Sequence, residues 1–205
     1  MPSTIILANG EFPRKPGLLH LLRQAEHVVC CDGAAEKLLN FGREPSVIVG
    51  DMDSLSPSLK ELYADRIITI DEQETNDLTK AVNYCERAGY RQIILMGATG
   101  IREDHTLGNI SLLVDYSLRI EDICMQTNYG RIDVVRHYKQ LQSYPGQQIS
   151  LFAIDPSTIV NAEGLKYPLI DRRLTNWWQG SLNEALGSTF EIRTQKGAVL
   201  VYRTD

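Results

Sequence analysis

The sequence has no apolar run approaching the roughly twenty residues that a membrane-spanning helix needs. Its first residues, Met1-Pro2-Ser3-Thr4, lack the basic and apolar regions of a secretory leader, so a cytoplasmic protein is expected. There is no GxxxxGK[ST] loop and no GxGxxG, which excludes two common glycine-rich phosphate cradles. Basic residues are not in excess: 21 Lys and Arg face 26 Asp and Glu, a net charge of −5. That balance argues against nucleic acid as the main partner. A small phosphorylated ligand stays open, because a metal can supply positive charge. The four cysteines, Cys30, Cys31, Cys85 and Cys124, sit in apolar segments without metal-ligand spacing and read as reduced core thiols. Internal repeats and low-complexity segments are lacking too.

What remains is an ordinary globular composition, 205 residues with 43% hydrophobic and 23% charged, enough for one large domain or two small ones. In the first half, short apolar runs alternate with helical periods. Strands are expected at Thr4 to Ala8, His27 to Cys31, Val47 to Val49, Arg66 to Ile70, Gln92 to Met96 and Asp122 to Thr127. Helices are expected from about Gly17 to Gln24, Ala34 to Phe41, Ser56-Pro57 to Tyr63, Asn76 to Ala88 and His105 to Asp115. Alternation of this kind predicts a parallel, Rossmann-like α/β sheet with its ligand at the carboxyl ends of the strands. After Tyr129 the period changes. Ile132 to Val135, Gln148 to Phe152, Thr158 to Val160, Ser188 to Thr194 and Ala198 to Tyr202 read as strands of an all-β sandwich or barrel. The expected division is 1–129 and 130–205.

The densest chemistry lies at Gly50-Asp51-Met52-Asp53-Ser54. In an extended segment Asp51 and Asp53 would project together from a strand end. Two such carboxylates repel unless a cation lies between them, and Mg²⁺ commonly takes one or two carboxylates plus phosphates. The plainer reading is that they cap the turn. Asp77, in the first turn of its helix, is either a third ligand or a residue favoured there by the helix dipole. In Gly97-Ala98-Thr99-Gly100 the glycines let backbone N–H groups approach phosphates, Arg102 offers a forked donor, and Asp104 is either an N-cap or part of the site. His105 reads as structural rather than as a base. Asn9-Gly10 and Asp32-Gly33 are turn residues or ribose and phosphate contacts. Trp177 and Trp178 read as core in the first instance, or as a stacking surface for a planar cation.

In this order, these motifs resemble the thiamine pyrophosphokinase family. The resemblance runs over nearly the whole chain and rests on Asn9-Gly10, Asp32-Gly33-Ala34, Gly50 to Ser54, Asn76-Asp77-Leu78-Thr79-Lys80, Gly97 to Gly100, Arg102, Asp104-His105-Thr106 and Asn109. It implies an α/β catalytic domain and a β-sandwich that binds thiamine, joined in a homodimer with sites at the subunit interface. It implies transfer of the diphosphoryl group of ATP to the hydroxyl of thiamine, with Mg²⁺ held by Asp51, Asp53 and Asp77 beside Arg102 and Asp104. Asn9, Gly10, Asp32, Gly33, Gly97, Thr99 and Gly100 would contact the nucleotide. Gln73, Asn183 and Trp177 or Trp178 would contact thiamine. Leu182 replaces a family serine, for which Ser181 is the neighbouring substitute. The rivals are a metal-dependent phosphohydrolase and a nucleotide-binding regulator without chemistry.

Overall fold

The structure, a computed structural model, describes residues 4–205. The chain divides at Asn128/Tyr129 into two compact units. The first unit runs β1 (Thr4–Leu7), α1 (Pro16–Gln24), β2 (His27–Cys31), α2 (Ala34–Asn40), β3 (Val47–Gly50), α3 (Pro57–Leu62), β4 (Ile67–Thr69), α4 (Asp77–Arg87), β5 (Gln92–Met96), α5 (Glu103–Tyr116) and β6 (Asp122–Thr127). Its strands lie in the order β6-β5-β1-β2-β3-β4, every neighbouring pair parallel. Leu7 pairs with both Cys30 and Met96, and Cys31 pairs with Val49. This register brings the loops after β1, β2, β3 and β5 to one edge. The chain steps outward from β1 to β4 and then returns to β5 on the other side of β1, the arrangement that opens a crevice between diverging loops.

The central strands β1, β2 and β3 are buried on both faces, which is why they read as continuous apolar runs rather than alternating ones. Ile5, Leu7, Val28, Cys30 and Ile48 pack with Leu18 and Leu22 of α1 and Ala34, Ala35 and Leu38 of α2. The neighbouring Cys31 points the other way, donating from Sγ to the backbone oxygen of Asp77 on α4 at 3.6 Å. All four cysteines are buried and unbridged. Among the described residues, no helix is long and apolar enough to cross a membrane.

The second unit is a sandwich. Its strands are β7 (Gly130–Val135), β8 (Tyr138–Gln142), β9 (Gln148–Ala153), β10 (Ile159–Glu163), β11 (Leu169–Arg173), β12 (Asn183–Glu184), β13 (Thr189–Gln195) and β14 (Val199–Thr204), with a 3-10 turn at Trp177–Gly180. One antiparallel sheet has the order β12-β9-β14-β7 and the other β11-β10-β13-β8. Val135, Leu151 and Val199 of the first face Leu141, Val160, Phe190 and Ile192 of the second in one apolar cluster.

Candidate active site

The crevice is a cavity of about 300 Å³ in the first unit. Asn9 and Gly10, Asp32, Asn76 and Asp77, Gly97 to Thr99, and Arg102 all line it, with Ser54, His105 and Asn109. Its floor is a pair of loops at van der Waals limits. The Gly10 N–H donates to the Gly97 oxygen at 2.6 Å and the Glu11 N–H to the Thr99 oxygen at 2.8 Å. A Cβ on Gly10 would fall 2.4 Å from the Gly97 oxygen, so only glycine fits. Lys37 of α2 braces the same loop, its Nζ donating to the Asn9 and Gly10 oxygens at 2.8 and 2.9 Å. Gly33 is packed less tightly, with the Asn9 side-chain nitrogen 2.9 Å from where its Cβ would be.

Three carboxylates converge around Asp32, which lines the cavity; Asp51 and Asp53 do not line it themselves. Asp32, Asp51 and Asp53 each bring an oxygen within 4.8 Å of the other two. Asp51 and Asp53 do not meet by alternation along an extended strand. β3 ends at Gly50, Met52 takes a left-handed φ of +67°, and the Asp53 N–H folds back onto Asp51 Oδ1 at 3.2 Å. A tight turn gathers them. Asp32 is itself left-handed at φ +40°, a conformation that Asp tolerates better than most residues.

Asp32 is 3% exposed. Its Oδ2 accepts from the Ser54 N–H at 2.9 Å, but its buried Oδ1 has no partner among the described residues. Burial pushes its pKa up to about 6; the Ser54 N–H pulls downward, and Asp53 and Asp77 push it up further. Asp53 is exposed and held below the usual carboxylate range by hydrogen bonds to Ser54 Oγ and Asp32. Asp77 lies beside this trio rather than within it. Its Oδ1 is 3.4 Å from Lys80 Nζ, and burial raises its pKa against that lysine's pull. An orphaned buried carboxylate oxygen in a cluster of acids fits a divalent cation, which takes oxygen ligands and offsets the repulsion.

The glycine loop joins α4 and α5 through amides. Asn109 Nδ2 donates to the Ala98 oxygen at 2.8 Å, and Asn76 Nδ2 donates to Asn109 Oδ1 at 3.0 Å. Asn76 also caps α4, accepting from the Thr79 N–H at 2.9 Å. Asp104 is not an N-cap: α5 starts at Glu103, one residue earlier. Asp104 instead forks with Arg102, which with the His105 N–H holds its carboxyl down to about 2. Both side chains of this pair are well exposed. Gln73 lies on an exposed bend and does not line the cavity.

In the second unit the tryptophans are not core. Trp178 is 74% exposed and Trp177 is partly so, edge-packed on Phe152 with ring centroids 5.8 Å apart. The turn that carries them is shaped by Gly180, whose Cβ would meet the Leu151 oxygen at 2.1 Å. Ser181 Oγ bonds back to the Trp178 oxygen at 2.7 Å, and Leu182 is exposed in a left-handed conformation. Asn183 is buried and largely committed: its amide bonds the Tyr167 backbone at 3.1 and 2.7 Å and accepts from the Glu184 N–H at 2.9 Å.

Sequence reasoning missed Asp32 as a member of the carboxylate trio, and missed Lys37 and the Asn76–Asn109 bridge. The signal for Asp32 was present: an acidic residue closing the apolar strand HVVCC at the crevice edge.

Comparison with known proteins bears on the same two units. The thiamin pyrophosphokinase catalytic domain matches residues 18–125, and the thiamin pyrophosphokinase substrate-binding domain matches residues 131–202. A relative from Oryza sativa subsp. japonica, thiamine pyrophosphokinase 1, is 33% identical over 55% of this chain, and the match spans 52% of its own length. Thiamine pyrophosphokinase 2 of Arabidopsis thaliana is 29% identical over 80% of this chain and 72% of its own. Among solved structures, thiamin pyrophosphokinase from Geobacillus thermodenitrificans has a TM-score of 0.82 at 23% identity, covering 99% of this chain and 97% of that one. The yeast enzyme's structure has the same score of 0.82 at 20% identity, over 100% of this chain and 86% of its own. At such identities the structural likeness speaks for the fold. The two domain matches, in order and across both units, speak for more: the chain belongs to the thiamin pyrophosphokinase family.

Proposed function

We propose that this chain transfers the diphosphoryl group of ATP to the hydroxyl of thiamine, giving thiamine diphosphate and AMP. The observation that carries the reading is the trio Asp32, Asp51 and Asp53, with its unpartnered buried oxygen, beside a cavity walled by close-packed glycine loops. The trio would hold Mg²⁺, with Asp77 alongside. When bound, the ion supplies positive charge against phosphate oxygens. The residues of the chain do the rest. The Gly97–Gly100 loop presents backbone N–H groups to the phosphates, and the Asn76–Asn109 bridge fixes that loop against α4. Asn9 and Gly10 would contact the nucleotide from the cavity wall, and Gly33 lets the Asn9 loop pack close behind it. Arg102 exchanges its Asp104 partner for the transferred group as charge grows there. The thiamine oxygen bonds to the β-phosphorus, and the bond from that phosphorus to the α–β bridging oxygen breaks. AMP leaves with the electron pair, and the thiamine hydroxyl gives up its proton to a crevice carboxylate or to water as the new bond completes. Positioning and charge account for most of the rate, and little base is needed while bonding to the nucleophile is weak.

Thiamine would meet the second unit. Trp177 and Trp178 suit a planar cation, with Ser181 and the Leu182–Asn183 turn beside them. Exposed Tyr167, Leu182 and Leu186, clustered about Asn183, suit a second copy of the chain, so we read the enzyme as a homodimer with sites shared between subunits. Buried thiols without bridges suit the cytoplasm. The test is product analysis after incubation with Mg²⁺, ATP and thiamine. AMP formed only when thiamine is present supports the reading. ATP hydrolysis without thiamine points to a phosphohydrolase, and tight ATP binding without turnover to a regulator.

A further inference from the structure

Lys80 is the one buried lysine or arginine among the described residues, 2% exposed on α4. Its helix packs on β1, β2 and β3 through Leu78, Ala81, Val82 and Cys85, an apolar setting in which an ammonium needs a partner. Helical side chains lean toward the helix N-terminus. That carries Nζ back to Asp77, 3.4 Å from its Oδ1, on the crevice side of the helix. Lys80 does not line the cavity, whereas Asp77 does. The ammonium therefore stands behind Asp77, away from any ligand. Its charge also reaches Glu72, which closes the loop before α4.

We propose that Lys80 is a positioning residue for the acid cluster: it locks the Asp77 carboxylate from behind and sets a resident positive charge on the Asp77 side of the cluster. The inference rests on the metal reading of the preceding section. Asp77 is held in one rotamer by a group that the substrates never touch. The same charge opposes a divalent cation, so the cluster binds its metal less tightly than four acids alone would. Firm positioning is gained in exchange for modest metal affinity.

The test is titration of the nucleotide-free, thiamine-free protein with Mn²⁺, read by the paramagnetic resonance of the free ion, alongside steady-state kinetics. Lys80→Met keeps the aliphatic stem and removes the charge. It should bind Mn²⁺ roughly tenfold tighter, by loss of one nearby positive charge. Its kcat should fall roughly tenfold or more as Asp77 loses its lock, with KM for thiamine unchanged. Lys80→Arg should keep the wild-type Mn²⁺ affinity. A merely structural lysine would not tighten metal binding, so unchanged or weaker Mn²⁺ affinity in Lys80→Met overturns the inference, as does a wild-type kcat. If Lys80→Met does not fold, thermal unfolding decides instead. Asp77→Asn, which strands a buried ammonium, should unfold several degrees below Asp51→Asn, and equal midpoints overturn the inference. A wild-type protein that binds no Mn²⁺ sinks the metal reading and this inference together. Wild-type binding that Lys80→Met reproduces unchanged sinks this inference alone.

Discussion

Asp32, in the turn just after β2 of the first unit, and Asp133, on β7 of the second, are both buried aspartates, 3% and 0% exposed. Their surroundings are opposite. On β7, Arg131 and Asp133 share a face, and Arg203 of β14 pairs with Arg131 in register. Arg131 and Lys139 reach the Asp133 carboxylate at 3.0 and 3.6 Å, and Arg203 bonds it too. Burial pulls that carboxyl upward, but these charges outweigh it and hold it below the usual range. Asp32 has one N–H donor, two acidic neighbours and an oxygen with nothing to bond. Three cations around one acid make a brace. Three acids gathered at one point make a place for a cation. The difference teaches that burial of an acid is not the mark of a site; burial without compensation is.

The contrast can be broken by substitution. The largest effect is expected for Asp51→Asn. It should lower diphosphoryl transfer by roughly three orders of magnitude, the scale for removing a group that organises transition-state charge, with an unchanged circular dichroism spectrum. Asp133→Asn comes next. It leaves the partly buried cations Arg131, Lys139 and Arg203 without their anion and should cost about 3 kcal/mol in urea unfolding. Because the folded-state pKa of Asp133 is depressed, its contribution is present above the unfolded value of about 3.9 and is lost as pH falls through the folded value. The variant should therefore lose the acid-side slope below pH about 4.

Asp32→Asn should do the reverse. The folded-state pKa of Asp32 is raised to about 6, so the proton it binds stabilises the fold below its unfolded value, and that stability fades as pH rises through about 6. Without metal at pH 7 the variant should be more stable than the parent by on the order of 1–3 kcal/mol, and saturating Mg²⁺ should stabilise the parent but not the variant. The smallest effect is expected for Trp178→Ala. Stability should change by less than about 0.5 kcal/mol, as for an exposed residue, while KM for thiamine rises. An equal loss of stability in Asp32→Asn and Asp133→Asn would erase the contrast.

The division of the fold was legible because the hydrophobic period changes near Tyr129. Doubly buried strands such as TIIL and QIILM are short apolar runs that need no partner to be seen. Three sandwich strands escaped reading. β8 buries only Leu141, β11 is an exposed edge reading Leu-Ile-Asp-Arg-Arg, and β12 is two residues long. Strand-end acids and glycines identified the crevice, since a parallel register fixes which loops share an edge. How the acids sort within it was not legible. That depends on the left-handed Met52 and Asp32 and on the spacing of separate strands, which no local pattern encodes. The tryptophans misled because apolar character alone does not dictate burial.

The most direct test of the central claim is chromatographic separation of nucleotides after the protein is incubated with Mg²⁺, ATP and thiamine. The account predicts AMP in equal amount to thiamine diphosphate, both falling roughly a thousandfold when Asp51→Asn replaces the parent and both lost when the metal is chelated. ADP as the product, or AMP formation that survives loss of the carboxylate, would contradict it.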